Sequence, residues 1–155
     1  MARFELPKRY LPVARLGKGG GGEVWSVRDR HSGERLALKV LAEGASEREM
    51  AALVREAVAL SGLEGLGVPR VVRFGRLPGT ARPFMVRELV EGDSLQERIE
   101  RGLDTPGTLD ALARAAEQLT LVHRAGLLHG DIKPANIIVE TGGRTTLVDL
   151  GLATP

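Results

Sequence analysis

Strand-type and helix-type patterning fall in separate stretches of this 155-residue chain, and that segregation limits the fold more than any other feature. Tyr10–Leu16 is an apolar-rich run. Glu23–Arg28 alternates, with Val24 and Ser26 on one face. The turn formers Asp29–Gly33 and then Leu36–Leu41 complete a hairpin signal. Ser46-Glu47-Arg48-Glu49 is a capping box that opens a helix to about Leu63. Its apolar positions are Ala52, Leu53, Ala57, Leu60 and Leu63, and Gly62, Gly65 and Gly67 end it. Val71–Phe74 and Phe84–Leu89 read as two further strands.

Past Glu88–Gly92 the character changes. Ser94-Leu95-Gln96-Glu97 is a second capping box and opens a short helix to about Arg101. Leu109–Arg124 has a helical stripe of Leu109, Leu112, Ala116, Leu119 and Val122. Ile137–Val139 and Thr145–Val148 are short strands around the turn Thr141–Arg144. A sheet with one helix followed by helices with a small hairpin predicts an α+β fold in two lobes, residues 1–88 and 89–155, rather than alternating βαβ units.

Composition narrows the chemistry. There is no cysteine, which removes disulfides, thiolate catalysis and the usual zinc clusters. His31, His123 and His129 are too scattered for a metal site. The 22 basic and 20 acidic residues are interleaved, with no basic run of five, so neither a nucleic-acid partner nor a polybasic membrane anchor is expected. No stretch approaches 18 uninterrupted apolar residues, and the first eight residues lack a signal-peptide core, so the chain reads as cytoplasmic.

Four lysines stand among many arginines: Lys8, Lys18, Lys39 and Lys133. Lys39 sits in the apolar strand Leu36–Val40, where it either faces solvent or pairs with an anion. Glu49 and Glu56, seven residues apart on the following helix, could each pair with it. Gly17-x-Gly19-x-x-Gly22-x-Val24 lies between two strands. A dinucleotide fold would instead put it between a strand and a helix. Such a loop is either a flexible connection or a hairpin lid whose bare backbone approaches phosphates closely.

His129-Gly130-Asp131-Ile132-Lys133-Pro134-Ala135-Asn136, followed thirteen residues later by Asp149-Leu150-Gly151, completes an ordered set. With the glycine loop, Lys39 and Glu56, the chain resembles the eukaryotic-type serine/threonine protein kinase family. The resemblance implies a kinase-like two-lobe fold: an antiparallel sheet with one helix, then an incomplete, mainly helical second lobe. It implies ATP with Mg²⁺ or Mn²⁺ as cofactors and a serine- or threonine-bearing protein as substrate. Gly17, Gly19 and Gly22 would cover the triphosphate. Lys39 would meet its α and β phosphates and be held by Glu56. Asp131 would take the acceptor hydroxyl's proton, and Lys133 would approach the γ-phosphate. Asn136 and Asp149 would hold the metal. Val24, Ala37 and Ile138 would pack on the adenine, with backbone hydrogen bonds from Glu88 and Val90. Arg55-Glu56-x-x-x-Leu60 resembles the family's helix, which favours Glu56 over Glu49.

Departures from the family pattern are informative. Gly130 stands where an Arg commonly receives an activation-loop phosphate, which implies a kinase not switched in that way. Leu150 replaces the Phe of Asp-Phe-Gly, and Gly21 replaces a bulkier loop-tip residue, which implies a looser lid. Arg87 falls at the back of the adenine pocket, where Thr, Met or Leu is usual, and a buried Arg needs a partner. The resemblance runs from about Tyr10 to Pro155. The family continues with an activation segment, an Ala-Pro-Glu motif and further helices. The apolar face of Leu109–Arg124 is therefore expected to be exposed unless a partner or a missing C-terminal segment covers it. Two other readings stand beside a protein kinase. One is a nucleotide-binding pseudokinase that acts by docking. The other is a small-molecule kinase of the aminoglycoside phosphotransferase type, which Gly130 favours and which Lys133-Pro134 and the glycine loop disfavour.

Overall fold

The computed structural model describes residues 5–19 and 22–155, and in them the two kinds of patterning become two sets of elements. The chain divides into two units: Met1–Ala57 with Val71–Leu89, and Val58–Arg70 with Val90–Pro155. The tip glycines Gly20 and Gly21, and with them the expectation of a looser lid, lie outside the described residues.

In the first unit β1 (Tyr10–Gly19), β2 (Gly22–Asp29), β3 (Arg35–Leu41), β4 (Val71–Arg76) and β5 (Pro83–Glu88) form one antiparallel sheet in the order β1-β2-β3-β5-β4. Helix α1 (Glu47–Gly62) occupies the connection from β3 to β4. The register sorts side chains by face, because strand residues alternate. Trp25, Leu38 and Val86 are cross-strand neighbours, as are Val27 with Leu36 and Val40 with Phe84. These seven, with Leu6, Tyr10 and Leu77, form one apolar cluster. The opposite face carries the row Gly17–Val24–Lys39–Met85 and the row Ser26–Ala37–Arg87. Val24 and Ser26 thus share a face as the alternation requires. Truncating Phe84, buried in the cluster, would cost about 3–5 kcal/mol.

The start of α1 follows its sequence signal. The Ser46 amide and hydroxyl both donate to the Glu49 carboxylate at 2.7 Å, and the Glu49 amide donates back to Ser46 Oγ. This uses Glu49 at the cap and leaves Glu56 to face the sheet. The buried stripe is Leu53, Glu56, Leu60 and Leu63, so one carboxylate sits in an otherwise apolar row.

In the second unit β6 (Gly92–Ser94), β7 (Ile137–Glu140) and β8 (Thr145–Leu147) form a small antiparallel sheet. The helices are α2 (Leu95–Glu100) and α3 (Thr105–Arg124). Strand β6 was not apparent from three polar residues; it forms because it pairs with β7, Gly92 opposite Glu140. Ser94 and Glu97 make the reciprocal cap expected for α2. Helix α3 begins four residues before the apolar pattern does, because Asp104 caps the Gly107 amide and Pro106 suits the first turn.

The apolar stripe on α3 is exposed over Leu109 and Leu112, as expected, and a neighbouring face is buried. Ala111, Ala115, Gln118 and Val122 are the buried positions, packing with Leu95, Ile137, Val139 and Leu147 or lying beside them. Leu109 is 61% and Leu112 43% exposed. Small alanines form the inner face together with Val122, and Leu109 and Leu112 lie on a second, exposed apolar face. Gln118 can join the inner face because both ends of its amide are used. Its Nε2 donates to the Gly67 carbonyl at 2.7 Å, and its Oε1 accepts the Leu147 amide.

Asp29, 1% exposed, closes the β1–β2 end of the sheet. Arg9 Nε and Nη2 reach its carboxylate at 2.6–3.0 Å, and the His31 amide donates at 2.9 Å. The Arg9 fork holds the carboxyl far below the usual carboxylate range, and the His31 amide reinforces this against the cost of burial. A depressed folded-state pKa stabilises the fold above the ordinary carboxylate range, from about pH 4 upward, and that contribution is lost as pH falls below it. Asp29→Asn should therefore unfold at lower urea than the parent at pH 7. The gap should narrow when both are titrated from pH 7 to pH 3, and a gap that stays constant would contradict this role.

Candidate functional site

In the first unit, four strands bring Gly17, Val24, Lys39 and Met85 into one row across the sheet. Ala37 lies two residues from Lys39 on the same face, opposite Ser26 and Arg87. Gly19 pairs with Gly22 at the loop end of the β1–β2 hairpin. Gly22 has φ 150°, and a Cβ there would collide with the Val40 carbonyl of β3. Only glycine lets the hairpin lie this close to the strand that carries Lys39.

Lys39 Nζ donates to Glu56 Oε2 at 2.6 Å, with the Glu56 side chain 2% exposed and that of Lys39 28% exposed. Of the two carboxylates open to Lys39 from sequence alone, the one inside the apolar stripe forms the pair. Arg87 also faces Glu56, with Nε 4.0 Å from Oε1, and its Nη1 donates to the Glu88 carbonyl at 3.2 Å. The arginine singled out in the sequence is half-buried and faces a carboxylate. Glu88 closes β5 opposite Leu36.

In the second unit, the segment His129–Asn136 is a knot of short polar contacts. Asp131 Oδ2 accepts from Lys133 Nζ at 2.8 Å and from Asn136 Nδ2 at 2.9 Å. Asn136 Nδ2 also donates to the Asp131 carbonyl, which turns the amide oxygen of Asn136 away from Asp131. The Lys133 ammonium lowers the Asp131 pKa from its ordinary value, against partial burial and with help from Asn136. Asp131 in turn raises that of Lys133. Both groups are therefore ionised throughout the neutral range.

His129, 1% exposed, supports the knot. The Asp131 amide donates to its Nδ1 at 3.3 Å, and Nε2 lies 3.1 Å from the Val148 carbonyl. A carbonyl can only accept, so the ring carries its proton on Nε2. The Val148 amide donates to the Asn136 carbonyl at 3.0 Å. Asp149 follows with φ 64°, the only non-glycine residue at positive φ among those described. Ile138 lies on β7 opposite Ser94 and Thr146, and Val90 precedes β6. Among the described residues no group of three or more His, Cys, Asp or Glu is gathered as for a metal held by protein alone.

Residues 10–155 match the family model of the protein kinase domain. The chain belongs to the protein kinase family. It is 33% identical over 151 residues to the DNA damage-responsive serine/threonine-protein kinase RqkA of Deinococcus radiodurans, covering 95% of this chain and 22% of that protein. It is 34% identical over 155 residues to the serine/threonine-protein kinase PknA of Mycobacterium tuberculosis, covering 96% and 36%. It is 35% identical over 158 residues to cyclin-dependent kinase 4 of Ovis aries, covering 94% and 52%. The chain thus spans between about a fifth and about half the length of these relatives.

Within this kinase domain Gly130 has a structural reason. It has φ 80°, and a Cβ would collide with the Leu152 carbonyl. The segment after Asp149-Leu150-Gly151 lies on it: the Leu128 amide donates to the Thr154 carbonyl at 2.7 Å, and the Thr154 amide donates back at 3.1 Å. Neither this contact nor the His129 support was read from the sequence. Their only local signals are a glycine where a side chain is usual and a histidine that ends the apolar run Leu127-Leu128.

Gly130→Ala combines that collision with a strained backbone costing about 1–3 kcal/mol. Amide exchange at Leu128 and Thr154 should speed up by about tenfold or more in the variant. Exchange as slow as in the parent would contradict the contact.

Proposed function

We propose that this chain carries the ATP-binding and phosphoryl-transfer residues of a serine/threonine protein kinase and moves the ATP γ-phosphate to a protein hydroxyl. The observation that carries this reading is the Asp131 cluster: a carboxylate kept ionised by an adjacent lysine and oriented by an asparagine amide. Phosphoryl transfer asks a protein for positioning and charge neutralisation more than for covalent chemistry.

Both Asp131 contacts fall on Oδ2, which leaves Oδ1 to accept the proton of an incoming Ser or Thr hydroxyl. The hydroxyl oxygen bonds to the γ-phosphorus as the bond to the ADP oxygen breaks. Lys133 offers its ammonium to the γ-phosphoryl oxygens and returns to Asp131 as the negative charge leaves. Lys39, held by Glu56, meets the α and β phosphates, and the backbone of Gly17, Gly19 and Gly22 covers them. Val24, Ala37 and Ile138 pack on the adenine, whose edge bonds to the Glu88 and Val90 backbone.

The donor set suits Mg²⁺. Asn136 and Asp149 offer two oxygens, and a hard cation that keeps waters and binds substrate phosphates needs only one or two protein ligands. When bound, the ion neutralises charge on the phosphate oxygens.

Gly130 favours a second reading, transfer to a small-molecule hydroxyl of the aminoglycoside kind. Identity with serine/threonine-protein kinases supports the first. A panel of Ser/Thr peptides and aminoglycosides with radiolabelled ATP separates them: label in peptide supports the proposal, and label only in aminoglycoside replaces it. Asp131→Asn should lower turnover by about 10²–10⁴-fold while leaving the ATP Kd within about twofold. Lys39→Met should instead weaken ATP binding. Turnover unaffected by Asp131→Asn would refute its assigned role.

A further inference from the structure

Glu56 is a buried carboxylate facing two cations on its two oxygens: Lys39 on Oε2 at 2.6 Å and Arg87 on Oε1 at 4.0 Å. The register explains why both reach it. Arg87 is two residues from Met85, and Met85 is opposite Lys39, so both side chains leave the same face of the sheet. The Arg87 side chain is itself only 15% exposed, and its Nη1 also donates to the Glu88 carbonyl.

We propose that Arg87 is a positioning residue that acts as the permanent counter-ion of Glu56 and so frees the charge of Lys39 for nucleotide phosphates. The inference rests on the Lys39 role given above. With Lys39 alone, the pair would be neutral, and every phosphate would compete with Glu56 for one ammonium. With Arg87 added, the three groups sum to one positive charge. Glu56 keeps a cation when Lys39 turns to the ligand. A guanidinium suits this duty because it never loses its proton and spreads its charge over a plane. Its looser contact leaves room for it to close on Glu56 as Lys39 withdraws.

The test compares the parent with Arg87→Met, which keeps bulk and removes charge, and Arg87→Lys, which keeps charge. Calorimetric titration uses ATP and adenosine as probes. Arg87→Met should weaken ATP by about tenfold more than it weakens adenosine, with Arg87→Lys retaining most of the ATP affinity. Equal ATP affinity in Arg87→Met and parent overturns the inference. So does an equal loss for ATP and adenosine, which would mark a merely structural residue. A parent that binds neither probe overturns the ATP-binding proposal itself and the inference with it.

A nucleotide-free cycle tests the sharing of Glu56 separately. Urea unfolding of Lys39→Met, Arg87→Met and the double variant should show a double loss larger than the sum of the singles, because only the double leaves Glu56 without a cation. A double variant that fails to fold while both singles fold is the same result in its extreme form. Additive losses overturn the inference.

Discussion

The ion pair between Lys39 and Glu56 is the constraint on which the first unit's site depends. A carboxylate in the apolar stripe of α1 is costly unless a cation meets it. Lys39 and Arg87, which meet it, leave the same face of the sheet, so Glu56 faces that side. The pair therefore fixes helix against strand and leaves a lysine ammonium on the face that also holds Gly17, Val24 and Ala37. Removing every cation that faces Glu56 differs from replacing carboxylate and cations together, because a lone buried charge costs more than a missing pair gains.

The second unit achieves order by a different route. Its polar side chains are pinned by backbone groups: His129 between the Asp131 amide and the Val148 carbonyl, Asn136 on the Asp131 carbonyl, Gln118 between Gly67 and Leu147. Each pin satisfies a buried group and positions a loop at the same time. The unusual backbone of Asp149 and the close approach at Gly130 sit beside these pins. Strain of this kind persists where the surroundings over-determine it.

Much of this architecture was legible in the sequence because local rules carried it. Both capping boxes, the β2–β3 hairpin and the segregation of sheet from helix follow from residue spacing alone. Glu56 could be read as a carboxylate near Lys39, but its choice over Glu49 needed family resemblance. In physical terms Glu49 is used by Ser46, a contact that the capping box itself announces. The apolar stripe of α3 and its exposure were legible, but its inner face was not, because alanines carry no size signal. Ala111 and Ala115 pack inward through their smallness, whereas Leu109 and Leu112 face out. Strand β6 and the Gly130 contact with Leu152 depend on pairing between segments far apart in the chain, which no local pattern encodes. Arg87 stood out as an arginine where the resembled family has Thr, Met or Leu, and its contact with Glu56 became visible only in the structure.

The central claim is the proposal that the folded chain binds Mg·ATP and that Lys39 and Asp149 are needed for it. Thermal unfolding of the 155-residue chain with and without Mg·ATP tests it most directly. A cooperative transition should rise with ligand, by the equivalent of roughly 2.7 kcal/mol at 100 times Kd. The rise should largely vanish in Asp149→Asn. A transition that Mg·ATP does not move, or one that moves equally in Asp149→Asn, would contradict the account.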